Sequence, residues 1–277
     1  MRPRKFQIYK ARGNTEFFSR DKLYTSLRRT DLPPRQCDLI TDQVSRESSE
    51  GDRTRDIYKK ALRLVHERSP VAAIQYSLKR ALLELGPTGH HFETYVARYF
   101  ERLGYRATTC QTLQGRYVRH EVDVVAQKQG RSSFVECKFH NRVGSKNDVK
   151  VTLYVKARWD DLREGPEGKR LENFYLVSNT AFSADALTYA RGTGLLLLGV
   201  NAPAERSFLE EIKGLRLYPI TSLRRLSKLM KQHLLSRNII LAADLPAHLN
   251  LLLQLGLEES SIDSLLAEID LLKESKA

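Results

Sequence analysis

The sequence predicts a chain of mixed α+β and α/β class, with an N-terminal hairpin and helical bundle, an α-β-β-β-α-β-α-β core and a helical C-terminal tail. Near the start, a Gly13-Asn14 turn separates two short segments with the composition of strands. Between residues 105 and 139, apolar and polar residues alternate as they do in strands, and a leucine stripe with helical spacing begins at Thr221. These patterns predict domains at 1–86, 87–220 and 221–277.

Basic residues outnumber acidic ones, which gives a formal net charge of +13 and a pI near 9.7. The excess lies in the first two expected domains. This balance favours a polyanionic partner, because neutralising phosphates with Lys and Arg releases counterions. We expect that partner to be DNA. The alternative is a solvated basic surface with no such partner.

The cysteines and the hydropathy pattern indicate where the protein works. Cys37, Cys110 and Cys137 have no C-x-x-C spacing and no accompanying histidine pairs, so we expect reduced residues in the core. The longest aliphatic run, residues 195–200, is far too short to span a bilayer, and the basic N-terminus lacks the apolar segment of a signal peptide. We therefore expect a cytoplasmic protein without a membrane partner.

Four helices are predicted between the hairpin and the end of the first domain. Ser19 can cap the first, Pro33-Pro34 begins the second, Thr54 precedes the third, and Pro70 lies in the first turn of the fourth. The hairpin and these helices together predict one compact helical domain.

Four stretches of this domain follow the pattern of a known nucleotide-sensing module. They are Lys10-Ala11-Arg12-Gly13, Glu16-Phe17-Phe18-Ser19-Arg20-Asp21-Lys22, Thr54-Arg55-Asp56-Ile57 and residues 72–80. Together they resemble the ATP-cone of ribonucleotide reductases and of a bacterial repressor of their genes. Ala11 and Arg12 stand where the family has Arg-Asp.

The resemblance implies that ATP or dATP binds here as an effector. The site residues that it implies are Lys10, Glu16, Phe17, Phe18, Ser19, Arg20, Asp21, Lys22, Thr54 and Arg80, with Lys79 as the alternative to Arg80. Such cations and a hydroxyl at a helix N-terminus suit a triphosphate. The chain has no glycine loop of the Walker A type, so nucleotide hydrolysis is not expected. The alternative is a basic helical domain that binds DNA or only packs.

The central domain begins after the breaker cluster at residues 86–89. Phe92, Val96 and Phe100 recur at helical spacing, which predicts a helix that ends at Gly104. Further elements are expected as strands at 105–112, 117–127 and 132–139, a helix at 146–162, a strand at 174–178, a helix capped by Ser183 and a strand at 195–200.

Two neighbouring strands carry ionisable residues among apolar ones, and burying such groups costs free energy unless they are paired or bind a metal. A two-residue turn at Gln129-Gly130 would place Asp123 opposite Glu136, with Cβ atoms about 4.5–5.5 Å apart. Two carboxylates at that separation can hold one small divalent cation. Lys138 would lie beside the metal, a layout that suits hydrolysis of a phosphodiester.

Asp123 followed by Glu136-Cys137-Lys138 resembles the motif of the PD-(D/E)xK nuclease superfamily, and the order of elements is similar to that of Mrr-like restriction endonucleases. The resemblance implies that Asp123, Glu136 and Glu93 bind Mg²⁺ or Mn²⁺ and that Lys138 acts with them. The alternative is a surface hairpin with ordinary ion pairs. For Glu93, the alternative is an acidic residue favoured by the dipole at the start of a helix.

Other polar residues near these strands are expected to support the site. His120 and His140 flank the strands and are expected to act behind the metal ligands. Five basic residues could hold the DNA backbone without reading its sequence, although a solvated face would explain each of them. They are Arg116, Arg119, Arg142, Lys146 and Lys150.

The leucine-rich tail is predicted to contain helices at 221–237, 245–255 and 261–274. Packing against the central domain is the default for these helices. A seam in a homo-oligomer and a site for a helical partner are the alternatives.

These patterns predict a cytoplasmic, magnesium-dependent DNA endonuclease that is regulated by ATP or dATP. One alternative is a catalytically silent, nucleotide-responsive regulator that binds nucleic acid, and another is a structure-selective DNA repair nuclease. Retention of Asp123, Glu136 and Lys138 favours an enzyme over the silent regulator.

Overall fold

The computed structural model describes residues 6–10 and 13–274 of the chain. They form two compact units, one containing the chain up to Leu78 together with the residues from Glu259 onward, and the other containing Lys79–Glu258. The domain limits at residues 86 and 220 stay a prediction. Ala11 and Arg12, part of the ATP-cone resemblance, lie outside the described residues. Within the described ranges, no helix is both long and apolar enough to cross a membrane.

The first unit begins with the predicted hairpin and helices. Their bounds are β1 (Gln7–Tyr9), β2 (Thr15–Phe17), α1 (Arg20–Leu27), α2 (Pro34–Glu47), α3 (Thr54–Arg68) and α4 (Pro70–Leu83). The residues of α4 from Lys79 onward belong to the second unit. The hairpin is antiparallel, with Ile8 opposite Glu16. The Ser19 hydroxyl accepts a hydrogen bond from the amide of Lys22 at 3.2 Å, which is the cap expected from the sequence.

The core of this unit forms where the apolar faces of the helices meet. Leu27, Cys37, Ile40, Val44 and Leu64 are all buried there. Their spacing of three or four residues within each helix is the amphipathic pattern that drives such packing. Cys37 is therefore the reduced core cysteine that the sequence predicts.

The second unit contains a five-stranded mixed sheet in the order β3-β4-β5-β7-β9. The bounds are β3 (Arg106–Gln114), β4 (Arg119–Lys128), β5 (Arg131–Lys138), β7 (Leu171–Ser178) and β9 (Leu196–Leu198). The first three strands are antiparallel, and β5, β7 and β9 are parallel. A small parallel sheet of β6 (Lys146–Asn147) and β8 (Ala181–Phe182) was not predicted.

The turn between β4 and β5 has the predicted geometry. Gln129 and Gly130 both have positive φ, 52° and 77°, as a two-residue type I′ turn requires. The strand pairs run from Lys128 opposite Arg131 to Val124 opposite Val135. The register of these pairs is the predicted one, and the pairing ends before Asp123 and Glu136, which come next on the two strands.

Helices cover the sheet and hold it in place. They are α5 (His90–Arg102), α6 (Val149–Arg163) and α7 (Ala184–Thr193), close to the predicted positions. Phe100 of α5 packs edge-on against Tyr175 of β7 at 5.2 Å between ring centroids. Trp159 of α6 contacts Phe174 at 6.0 Å. The sheet is therefore fixed by aromatic contacts from more than one helix.

The tail differs from its prediction in the position of its helices. Helix α8 (Phe208–Gly214), which was not predicted, precedes the tail, and the helices of the tail are α9 (Lys228–Ser236), α10 (Leu249–Gln254) and α11 (Glu259–Glu274). The helix predicted from 221 begins only at Lys228, because Ser227 caps it and Ile220–Ser222 form a buried 3₁₀ turn. The Thr221 hydroxyl donates to the carbonyl of Ala81 at 2.8 Å, which holds that turn out of the helix. Helix α11 belongs to the first unit.

Candidate active site

The candidate site forms where β4 and β5 part. Beyond the pair of Val124 and Val135, the amide of Cys137 bonds to the carboxylate of Asp123, with its nitrogen 2.6 Å from Oδ2. The Asp123 side chain thus takes the place of a strand partner for this amide. Glu136 is buried beside it. The two predicted carboxylates therefore lie at the same end of the hairpin.

Arg158, which the sequence reasoning missed, closes the site from α6. Its guanidinium donates to Glu136 Oε2 and to the backbone carbonyl of Glu121. Only 11% of the Arg158 side chain and 10% of the Glu136 side chain are exposed. In the sequence, Arg158 falls on the same helix face as Val151, Val155 and Leu162, which pack in the core. This spacing indicates that the Arg158 side chain faces the sheet.

Burial raises the pKa values of the acidic groups of the site, and the charge of Asp123 raises those of Glu136 and Glu93 further. Burial, followed by the negative charge of Asp123, raises the pKa of Glu136 to about 7, although Arg158 opposes this. Burial also raises the pKa of Asp123, and the hydrogen bond from the Cys137 amide opposes it. The pKa of Glu93 is raised by burial and then by the charge of Asp123. Because these surroundings disfavour the ionised carboxylates, a bound cation would stabilise their charged form.

Lys138 is held at its backbone by a buried polar network. The hydroxyl of Ser178 donates to the Lys138 carbonyl at 2.7 Å, and the Asn147 amide donates to that hydroxyl at 2.8 Å. His140 Nε2 lies 2.9 Å from Asn147 Oδ1, and the amide of His140 donates to Asn179 Oδ1 at 2.9 Å. His140 is thus linked to the Lys138 carbonyl through Asn147 and Ser178, and its role behind the metal ligands stays a prediction.

Glu93 lies in the first turn of α5 and contacts a different pair of residues. Its Oε2 is 3.7 Å from His90 Nδ1 and 3.8 Å from Cys110 Sγ. Cys110 is exposed, so its prediction as a core residue is wrong. The reason is that β3 is the edge strand of the sheet, where one side chain in two points away from the core. Cys137 is partly buried.

His120 serves the loop between β3 and β4. Its Nε2 lies 2.7 Å from Asp161 Oδ2, and Asp161 also accepts hydrogen bonds from the amides of Tyr117 and Val118. Hydrogen bonds from His120 and these amides lower the pKa of Asp161 against the opposing effect of desolvation. His120 thus orients the carboxylate of Asp161, which holds the loop. Along β4, His120 lies apart from the predicted metal ligands.

The predicted DNA-contacting residues have exposed positions around the second unit. Arg116 pairs with Glu164 and lies over the ring of Tyr117 at 4.9 Å. Tyr117 itself is 72% exposed. Arg119, Arg142, Lys146 and Lys150 are also largely accessible to solvent. Their exposure leaves both a DNA contact and a solvated face open.

The residues implied by the ATP-cone resemblance divide into two groups. Lys10 and Thr54 line a cavity of about 520 Å³ in the first unit, together with Tyr9, Gly13, Gly51, Arg53 and Arg55. Glu16 lies 2.9 Å from the Lys10 ammonium and 2.8 Å from that of Lys22. The structure thus brings Lys10, Glu16 and Lys22 together by ion pairs.

The other implied residues have structural partners of their own. Phe18 stacks on Phe6 at 5.0 Å, and Arg20 pairs with Asp38 and Asp42. Phe17 and Asp21 are exposed, and Ser19 caps α1. Arg80 lies in the second unit, where it pairs with Glu84 at 2.9 Å.

Two family models match the chain. The model described as restriction endonuclease matches residues 86–202, and the one described as AF1548-like, C-terminal, matches residues 218–272. Both matched ranges begin after residue 85, so the ATP-cone resemblance stays a prediction. The restriction-endonuclease match agrees with the mixed sheet of the second unit.

Known proteins resemble the chain to different degrees. The MspJI restriction endonuclease in complex with a 27-mer oligonucleotide is 12% identical to this chain. Its TM-score is 0.36 over 74% of this chain and 44% of that one, so this similarity supports no conclusion about function. The crystal structure of the protein of unknown function AF1548 is 28% identical, with a TM-score of 0.54, and covers 68% of this chain and 100% of that chain.

A closer sequence relative is an uncharacterized protein of Archaeoglobus fulgidus, which is 34% identical over 129 residues. These residues are 47% of this chain and 71% of that protein. The chain therefore belongs to the same family as that protein, with a restriction endonuclease domain at 86–202 and an AF1548-like C-terminal domain at 218–272.

Proposed function

We propose that the chain is a divalent-metal-dependent DNA endonuclease. The observation that carries the proposal is the position of Asp123 and Glu136 at the point where β4 and β5 separate, within a restriction endonuclease domain. The net charge of +13 supports a nucleic-acid substrate. The oligonucleotide was bound to MspJI and not to this chain. DNA as the substrate of this chain is part of the proposal.

The donor atoms of the site fit a magnesium or manganese ion. Carboxylate oxygens are the ligands such ions prefer, and Asp123 uses only Oδ2 for the Cys137 amide among the described residues. Asp123 and Glu136 would hold the ion, with Glu93 assisting from α5. When bound, the ion would polarise a phosphoryl oxygen and lower the pKa of the attacking water.

The remaining groups act on the substrate and on the ligands. Lys138 would place its ammonium beside the negative charge that develops on the phosphate. Arg158 positions Glu136 and offsets part of the cost of burying its charge, although the pKa of Glu136 stays raised at about 7. The exposed basic residues Arg119 and Lys150 would hold the DNA backbone.

A plasmid-nicking assay with Mg²⁺ or Mn²⁺ tests the proposal. We expect Asp123→Asn and Lys138→Ala each to slow nicking by at least about 100-fold, the size typical for the loss of one group that stabilises a transition state. Asp185→Asn and Lys169→Ala remove the same charges from exposed positions of the same unit and should leave the rate unchanged. Equal nicking by all variants would overturn the assignment.

We propose further that ATP or dATP binds the cavity of the first unit and regulates the enzyme. Lys10 and Thr54 lie on the cavity wall, and Arg53 and Arg55 add positive charge there. A triphosphate would compete with Glu16 for the ammonium of Lys10. The Thr54 hydroxyl donates to the Tyr9 carbonyl at 3.1 Å, so it would have to leave this acceptor in order to donate to a phosphate oxygen.

Calorimetric titration with ATP and with dATP tests the effector site. We expect Lys10→Ala to weaken binding by about tenfold, the value of one charge-assisted hydrogen bond. Lys59→Ala removes an exposed lysine of α3 and is the matched control. If the wild-type protein takes up neither nucleotide, the ATP-cone proposal fails and the nuclease proposal is unaffected.

One observation favours a second candidate, a catalytically silent regulator that binds nucleic acid. The guanidinium of Arg158 already bonds to the Glu136 oxygen that the metal would use. A protein of this class would bind duplex DNA in a gel-shift assay and show no nicking with Mg²⁺ or Mn²⁺. Nicking that depends on Asp123 excludes it. Cleavage of branched DNA in preference to linear duplex would instead indicate a structure-selective repair nuclease.

A further inference from the structure

A cluster of three ligand types lies beside the candidate nuclease site. His90, Glu93 and Cys110 each present one ligand atom, and these atoms all lie within 4.8 Å of one another. The Glu93 oxygen is 3.7 Å from the His90 nitrogen and 3.8 Å from the Cys110 sulfur. A tetrahedral ion with bonds of about 2.0–2.3 Å separates its ligand atoms by roughly 3.3–3.8 Å. The two distances from the Glu93 oxygen therefore approach those of a metal site.

A helix and the strand next to the hairpin assemble this cluster. His90 and Glu93 are three residues apart in the first turn of α5, so they share one face of the helix. Cys110 comes from β3, at the position between the pairs Thr109–Val124 and Gln111–Val122. The helix and the strand thus converge on one point at the sheet edge.

The backbone at Cys110 has an unusual conformation. Its φ is 53°, in the left-handed region that side chains other than glycine, asparagine and aspartate rarely adopt. Neighbouring residues on both sides keep the regular register of β3 and β4, so the distortion is confined to this position. Such outliers concentrate at functional sites, where the strain serves to orient a group. Here the oriented group is a thiol that contacts Glu93.

We propose that His90, Glu93 and Cys110 bind a borderline or soft divalent cation such as Zn²⁺. One imidazole nitrogen, one sulfur and one carboxylate oxygen are the ligands that zinc and cobalt take, whereas magnesium prefers oxygen alone. Three protein ligands leave a fourth position open to solvent. The ligand set differs from the all-oxygen pair of Asp123 and Glu136, although Glu93 is common to the two proposed sites. The zinc proposal does not rest on the proposed nuclease activity.

Titration of metal-free protein with Co²⁺ tests the site, because a thiolate bound to Co²⁺ gives a charge-transfer absorption band. We expect the band in the wild-type protein and in Cys37→Ala, whose thiol is buried in the other unit. It should be absent in Cys110→Ala. Competition with Zn²⁺ should show affinity reduced by at least about tenfold in His90→Ala, since even indirect partners of a metal contribute that much.

A further variant separates this site from the nuclease site. Asp123→Asn should keep the cobalt band, because Asp123 is not among the three ligands. A band that persists in Cys110→Ala, or a wild-type protein that gives no thiolate band, overturns the proposal. Circular dichroism of Cys110→Ala confirms that the variant is folded, so loss of the band is then loss of a ligand.

Discussion

Arg158 and Glu136 form an ion pair in which each side chain is about nine-tenths buried, at the point where the proposed metal would bind. Two buried charges depend on each other, because neither can be solvated by water if its partner is removed. The pair therefore links the stability of the domain to the chemistry of its site.

We expect Arg158→Ala to lower the free energy of unfolding by about 3 kcal/mol at pH 8, because it leaves the Glu136 carboxylate buried and unpaired. Urea unfolding of the metal-free protein measures this. Arg163→Ala removes an exposed arginine of the same helix and should change the free energy by less than about 0.5 kcal/mol. Equal stability of the two variants would show that the pair is not buried in solution.

The raised pKa of Glu136 predicts how stability depends on pH. Its pKa is about 7 in the folded protein, against an ordinary value of 4.5, so between these values the folded state binds more protons than the unfolded state. The free energy of unfolding should therefore fall as pH rises from 4.5 to about 7, by up to roughly 3 kcal/mol for this group.

Glu136→Gln should flatten this pH profile, and Glu258→Gln, at an exposed position, should not. Urea unfolding at several pH values, without metal, gives the slope for each protein. Saturating Mg²⁺ should flatten the wild-type profile too, because a bound cation favours the ionised carboxylates. A wild-type profile with no downward slope in this window would refute the assignment.

The network around Asn147 should affect both stability and rate. Asn147 is buried and bonds to Ser178, Thr180 and His140, so Asn147→Ala leaves several polar groups without a partner. We expect a loss of about 1–3 kcal/mol in the free energy of unfolding. The rate of plasmid nicking should fall as well, because Ser178 holds the carbonyl of Lys138.

Asn141→Ala is the matched control for that change, since Asn141 is exposed in the adjacent loop. Guanidinium unfolding and the nicking assay should leave it indistinguishable from the wild-type protein. If Asn147→Ala loses stability but keeps the full rate per folded molecule, the network does not position Lys138.

The loop between β3 and β4 should depend on Asp161. Its carboxylate accepts from the amides of Tyr117 and Val118, so Asp161→Ala should increase the hydrogen-exchange rates of those two amides. Asp160→Ala, one position earlier, removes an exposed carboxylate and should leave both amides protected. Unchanged exchange in Asp161→Ala would mean that the loop is held by other contacts.

The hairpin could be predicted from sequence because local rules decide it. Gln129 and Gly130 fit a two-residue turn, and the alternation of apolar residues then leaves one register in which the buried faces agree. Asp123 and Glu136 follow from that register alone. The Ser19 cap was predictable for the same reason, since a cap depends only on residues within one turn.

Other parts depend on contacts between distant segments and could not be read locally. Arg158 bonds to Glu136 across 22 residues, and Asn147 bonds to Ser178 across 31. The beginning of α9 moved to Lys228 because Thr221 bonds to Ala81, 140 residues away. Cys110 was misassigned because nothing in its neighbourhood indicates that β3 is an edge strand.

The hydroxyl of Ser178 reaches back 40 residues to the carbonyl of Lys138. A growing polypeptide that has emerged only as far as His140 therefore contains Lys138 and the two acids that we propose as metal ligands, yet lacks the strand that fixes the lysine backbone. Completion of β7 would be the moment at which the pieces become a working centre. Under the proposed function, late assembly of this kind would keep unfinished chains from cutting DNA.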